Sequence, residues 1–224
     1  MQDDMPQHFY ITFWAPITQH TVNKLWQTVE NYIQLRPGWV KKLTLIISSP
    51  GGQMTAALSA CRYLKQTGLN IDTHGFGSVT SAGLLLYCLG NARYAAPGTL
   101  FTMHPITFPP ANISYDVPLL TELAASCKEQ EEQSAGIIAV TTGKHKEAIL
   151  VAMRQRSVFN TDAAKDYGIV TEITDKPFVP EGCISFCVGE LDSSIPAFNP
   201  FYSPLPPAYQ TFGSQNIDFP QAWG

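Results

Sequence analysis

Apolar positions along this chain alternate between two periods, one suited to strands and one to helices. "FYITFW" reads as a first strand, and in "TVNKLWQTVENYI" Val22, Leu25, Trp26, Val29 and Ile33 recur at helical spacing. "LTLIIS" (43–48) is a continuous apolar run, the mark of a strand buried on both faces. Met54, Ala57, Leu58, Cys61 and Leu64 place one stripe on a second helix, which Gly68 ends. "NIDTHGF" gives a further strand, and a helix opening at Ser81 carries "LLLYCLG". "ARYAA" and "TLFTMH" read as two short strands. From Val117 to Thr142 a longer amphipathic helix carries "KEQEEQ" on its solvent side. "HKEAILVAMRQR" makes another helix, and "DAAKDYGIVTEI" ends the pattern in a helix, a Gly stop and a strand. Such alternation predicts right-handed βαβ crossovers and a mainly parallel sheet, an α/β fold without internal repeats.

After Lys176 the pattern changes. Residues 177–224 hold eight prolines and nine aromatics but no Lys or Arg. Disordered tails are normally poor in aromatics. Two parts are therefore expected: an αβ domain over 1–176, and a Pro/aromatic-rich extension over 177–224 packing on that domain or on a neighbouring subunit. At 224 residues the chain has room for one sizeable domain with an appendage.

Charge narrows the function classes. The net charge is −4 and only 14% of residues are charged, which argues against nucleic acid, whose binding demands clustered Lys and Arg. No segment approaches the roughly 18 uninterrupted apolar residues of a membrane span, and the acidic, polar "MQDDMPQHF" is unlike a signal peptide. Five cysteines without zinc spacing read as free thiols, which points to the cytoplasm. No metal or cofactor is expected. A Cys183–Cys187 bridge has no other support in the sequence.

Three stretches carry the chemistry. "SSPGG" (48–52) follows the buried strand and opens a helix, so Gly51 and Gly52 let backbone approach a ligand closely. "SVTSAG" sits between a strand and a helix, where a Ser hydroxyl is exposed in the nucleophile elbow, although Val79 stands where that motif has its first Gly. The N–H groups of Gly52 and Ala82 then face one crevice at the carboxyl ends of the strands, as a two-amide oxyanion hole. His104 closes "TLFTMH" on the same edge and is the candidate general base. Each piece alone also fits an ordinary βα turn or a structural His.

Taken together, "SSPGG", the Ser-x-Gly helix start, the strand ending in His and "TTGKHKEAI…FNTDAAKDYGIVTEI" resemble the proteolytic subunit of the Clp protease, a family of Ser-His-Asp peptidases. The likeness covers roughly residues 8 to 175. It implies the Clp/crotonase-like fold with a long handle-like helix and a homo-oligomeric ring acting on peptides or unfolded proteins. It places the nucleophile on Ser81, the base on His104 and the oxyanion donors on Gly52 and Ala82.

Three departures accompany the likeness. The position of the family's acid, thirteen residues after the Gly of "TTG", is Arg156. A buried guanidinium there would disfavour a protonated imidazole, where an acid stabilises it. Asn160 and Asp162 rank equally as substitutes. "HPITFPPANISYD" replaces a Gly-Gly strand, and Pro109 and Pro110 cannot donate to a ladder. Few residues precede the first strand, so a Clp ATPase partner is not implied. The leading reading is a Clp-fold serine peptidase working through an acyl-enzyme. The alternatives are a catalytically weakened Clp-like subunit with an assembly or binding role, and a crotonase-type acyl-CoA enzyme. A Ser/Lys pair would need Lys128, and His104 fits better.

Overall fold

A computed structural model describes residues 7–35, 37–107, 114–176 and 178–189. The elements in chain order are β1 (His8–Trp14), α1 (Gln19–Leu35), β2 (Lys42–Ser49), α2 (Met54–Gln66), β3 (Asn70–Thr80), α3 (Ala82–Tyr87), β4 (Arg93–Ala95), β5 (Leu100–Thr102), α4 (Val117–Thr142), α5 (Lys146–Arg154), β6 (Val158–Phe159), α6 (Thr161–Tyr167), β7 (Glu172–Ile173) and β8 (Ser185–Gly189). The main sheet runs β6-β5-β3-β2-β1-β8, and β4 carries β7 beside the first half of β3. Every pairing is parallel except β5 with β6. This is the α/β fold that the sequence pattern predicts, with α4 as its long helix.

Strand alternation decides which side chains meet the helices. Phe9, Ile11 and Phe13 of β1 and Leu43, Leu45 and Ile47 of β2 are fully buried, in one core with Val22, Leu25 and Val29 of α1 and Ala57 and Leu64 of α2. Each of these larger side chains contributes about 1.5–3 kcal/mol on burial. The intervening positions hold a buried polar set: Asp72 pairs with Lys42 at 2.6 Å and accepts from the Ala92 N–H at 3.2 Å. Beside them His74 is buried, with its ring against Phe178 and Tyr94. Burial pushes its pKa down to about 4, so the ring is neutral.

β3 is long because it serves two neighbours. Residues 73–75 pair with β4 and residues 78–80 with β5, and Gly77 at φ 62° turns the strand between them. Arg93 fixes the far end, its guanidinium donating to the carbonyls of Ile169 (2.7 Å), Gly90 (3.1 Å), Gly168 (3.2 Å) and Thr141 (3.3 Å). These contacts tie the carboxyl ends of α4 and α6 to the sheet, where a cation suits the helix dipole.

Two strands lie outside the sequence expectations. β6 has two residues, too few to show a period. β8 lies beyond the composition break, yet it pairs with β1 from Tyr10↔Ser185 to Trp14↔Gly189. Phe186 packs on Phe9 and Tyr32. The change of composition at Lys176 is thus no edge of the folded unit, because pairing with β1 extends the sheet past it. Residues 190–224 of the aromatic extension and the Pro109–Pro110 segment lie outside the described residues.

Candidate active site

The site is built where four parallel strands end. β3 brings Ser81 to the carboxyl edge, and α3 starts at the next residue. Ser81 holds φ 54° and ψ −122°, a conformation that strains any residue with a Cβ. Its N–H donates to the Thr102 carbonyl at 2.9 Å, which fastens the elbow to the end of β5. α3 can begin this close to β2 only because residue 83 is Gly. A Cβ there would lie 2.9 Å from Ser49 Cβ. The glycine of the Ser-x-Gly start is therefore a packing requirement.

The "SSPGG" turn lies against this elbow. A Cβ on Gly51 would come within 2.8 Å of Ser81 Cβ and of the Thr80 carbonyl oxygen, and 3.4 Å from the Ala82 nitrogen. Gly51 O accepts from Ile17 N–H at 2.7 Å, and Gln53 N–H donates to Ile17 O at 2.8 Å. This bridge leaves Gly52 at φ 145°, where a Cβ would overlap the Ile17 carbonyl. Among the described residues the N–H groups of Gly52 and Ala82 have no acceptor. Two free amides beside a strained Ser hydroxyl suit a developing oxyanion.

His104 sits two residues beyond β5, since the strand itself stops at Thr102. It lines one pocket with Ser81, walled by Met54, Leu84, Leu85 and Ile138. Among the described residues no hydrogen bond joins Ser81 Oγ to the ring. His104 Nδ1 lies 2.7 Å from the Pro105 carbonyl oxygen. A carbonyl has no proton to give, so Nδ1–H is the donor and Nε2 keeps its lone pair. The next N–H in the chain, that of Ile106, donates to Glu131 Oε1 of α4 at 2.9 Å.

The residues ranked as substitute acids lie elsewhere. The antiparallel register Phe101↔Phe159 and Thr102↔Val158, continued by Met103 N–H donating to Ser157 O at 2.9 Å, sets residue 156 opposite His104 and residue 160 opposite Leu100. Asn160 is the N-cap of α6, its side chain accepting from Ala163 N–H at 2.9 Å. Asp162 is exposed in the first turn of that helix. Neither is brought to His104. Arg156 is exposed rather than buried, at φ 52°. Its N–H donates to Met153 O, and Ser157 N–H donates to Ala152 O, a left-handed stop to α5 of the kind glycine usually supplies.

Other nucleophiles fare worse. All five cysteines are free, and burial pushes the Cys61 and Cys88 thiols up to about 12, which makes them inert. Lys128 is exposed on α4 and does not line the pocket. Among the described residues no set of His, Cys, Asp or Glu gathers to hold a metal, and no helix is long and apolar enough to cross a membrane.

The Clp protease family model matches residues 3–177. This chain belongs to the Clp protease family. The ATP-dependent Clp protease proteolytic subunit 2 of Corynebacterium efficiens is 29% identical over 135 residues, 59% of this chain and 66% of that relative. The subunit of the same name in Corynebacterium glutamicum is 30% identical with the same coverage. The chain thus spans just under two thirds of these relatives. A solved ClpP1 mutant from Listeria monocytogenes aligns with a TM-score of 0.65 at 22% identity, covering 75% of this chain and 91% of that one. That likeness supports the Clp fold.

Proposed function

We propose that this Clp-family chain is a serine peptidase with Ser81 as nucleophile and His104 as general base. The observation that carries the reading is the strained Ser81 elbow beside two acceptor-free amides, with His104 lining the same pocket. Ser81 Oγ attacks the scissile carbonyl carbon while His104 Nε2 takes the hydroxyl proton, and the Gly52 and Ala82 N–H groups hold the oxyanion. Collapse expels the amine, which receives that proton from His104. Water, activated by the same ring, then hydrolyses the acyl-enzyme.

Peptides or unfolded proteins are the proposed substrates, and the cytoplasm is the proposed compartment. Self-association belongs to the same reading: Val117 and Leu120 at the start of α4 stand 74% and 52% exposed, apolar surface suited to a second copy. A Clp ATPase is not part of the proposal, although the relatives' names carry "ATP-dependent". A fluorophosphonate should label the protein stoichiometrically, Ser81→Ala should abolish labelling, and the labelled species should scatter light as an assembly. Labelling that survives Ser81→Ala removes the nucleophile. The weakened-subunit reading draws support from Arg156 standing across from His104, and a wild-type protein that never labels would favour it.

A further inference from the structure

We propose that Glu131 takes over the work of the missing triad acid, acting on His104 through the peptide group between Pro105 and Ile106. Its use in catalysis rests on the peptidase reading above. The arrangement itself is independent of that reading.

One planar amide joins the two contacts. Its carbonyl oxygen, on Pro105, accepts from His104 Nδ1 at 2.7 Å. Its N–H, on Ile106, donates to Glu131 Oε1 at 2.9 Å. A carboxylate on the N–H side pushes electron density toward the carbonyl, because hydrogen bonds in series polarise one another. The oxygen facing Nδ1 is then a stronger acceptor than an ordinary backbone carbonyl. It fixes the Nδ1–H tautomer, leaves Nε2 free toward the pocket, and favours the imidazolium that forms when Ser81 gives up its proton. These are the tasks of a triad acid.

Arg156 completes the argument. The register sets it opposite His104, and a guanidinium can neither accept from Nδ1–H nor stabilise a cation. Asn160 is committed to capping α6 and Asp162 is exposed on that helix. Glu131 of α4 is thus the carboxylate hydrogen-bonded to the peptide group that meets Nδ1. Glu131 touches no reacting atom and is a positioning residue.

Glu131→Gln is the decisive variant, since its side-chain oxygen still accepts from Ile106 N–H while the charge is gone. In the full-length protein, ¹⁵N NMR should show neutral His104 as the Nδ1–H tautomer. The Nδ1–H proton resonance should move upfield in Glu131→Gln, because the Pro105 carbonyl loses the charge that polarises it. Fluorophosphonate labelling should slow about ten-fold, a part of the roughly 10⁴-fold that full loss of His orientation costs. An Nε2–H tautomer in the wild type, or an Nδ1–H resonance unmoved by Glu131→Gln, overturns the relay. Slower labelling with an unmoved resonance also overturns it, by showing a merely structural role. A wild-type Ser81 that never labels, alongside the expected NMR result, overturns the peptidase reading and leaves the relay standing. Should Glu131→Gln fail to fold, Glu131→Asp takes its place: its shorter side chain loosens the contact with Ile106 N–H, and an Nδ1–H resonance that it leaves unmoved overturns the relay.

Discussion

Two residues with a Cβ hold positive φ among the described residues, and their settings differ. Ser81, at 54°, is held by a hydrogen bond to β5, by Gly51 against its Cβ and by a helix that packs on Ser49. Arg156, at 52°, ends α5 in an exposed turn beside a two-residue edge strand. The family pattern survives at the first and lapses at the second. At the elbow, sequence serves packing and chemistry together, so a change there damages the fold. At the turn only the chemistry asks for an acid, and the backbone accepts Arg at modest cost.

Substitutions at the two places should therefore differ in size and sign. Gly52→Ala should be the most damaging, because the new Cβ overlaps the Ile17 carbonyl and φ is 145°. A loss of about 3–4 kcal/mol in urea unfolding is expected, and a loss below about 1 kcal/mol would mean that the turn is softer than its geometry implies. Ser81→Gly should stabilise the protein by about 1–2 kcal/mol while removing the reactive hydroxyl, since glycine relieves the strained elbow. An unchanged or lower melting temperature would show the conformation to be unstrained. Arg156→Gly should stabilise by a smaller amount, about 0.5–1 kcal/mol, as left-handed strain is relieved at a helix stop. A destabilised Arg156→Gly would instead give the guanidinium a structural partner and blur the contrast.

Legibility in the sequence follows the same divide. Residues 43–48 lie within β2, Met54 to Leu64 lie within α2, and α4 runs from Val117 to Thr142 as its period predicts. Burial in β2 and α2 is enforced by packing, so it leaves a periodic trace, whereas α4 buries only Ser134, Ala135 and Ile138 and leaves Val117, Leu120 and Val140 exposed. Ser81, Gly51, Gly52 and Ala82 converge because each sits at a βα turn, which is also visible in sequence. The His end of the site is different. His104 falls in a loop beyond its strand, and the sequence around Asn160 and Asp162 does not show the register that sets residue 160 opposite Leu100. Glu131 lies in "KEQEEQ", where helical period marks a solvent face. Nothing local announces that one of those carboxylates meets a loop N–H. Arg156 hides in the same way, since glycine is the usual sign of a left-handed stop.

β8 joins the sheet at the far side of β1, and the two strands come from opposite ends of the described chain. This pairing sets an order of events during synthesis. β1 is made first, and its inner edge can pair with β2 soon after, but its outer edge stays bare until residues 185–189 leave the ribosome. Parallel pairings between distant segments form slowly, and an open strand edge invites pairing with other chains. Closure of that edge thus waits on residues 185–189, and Phe186 on Phe9 and Tyr32 is the contact that comes with it.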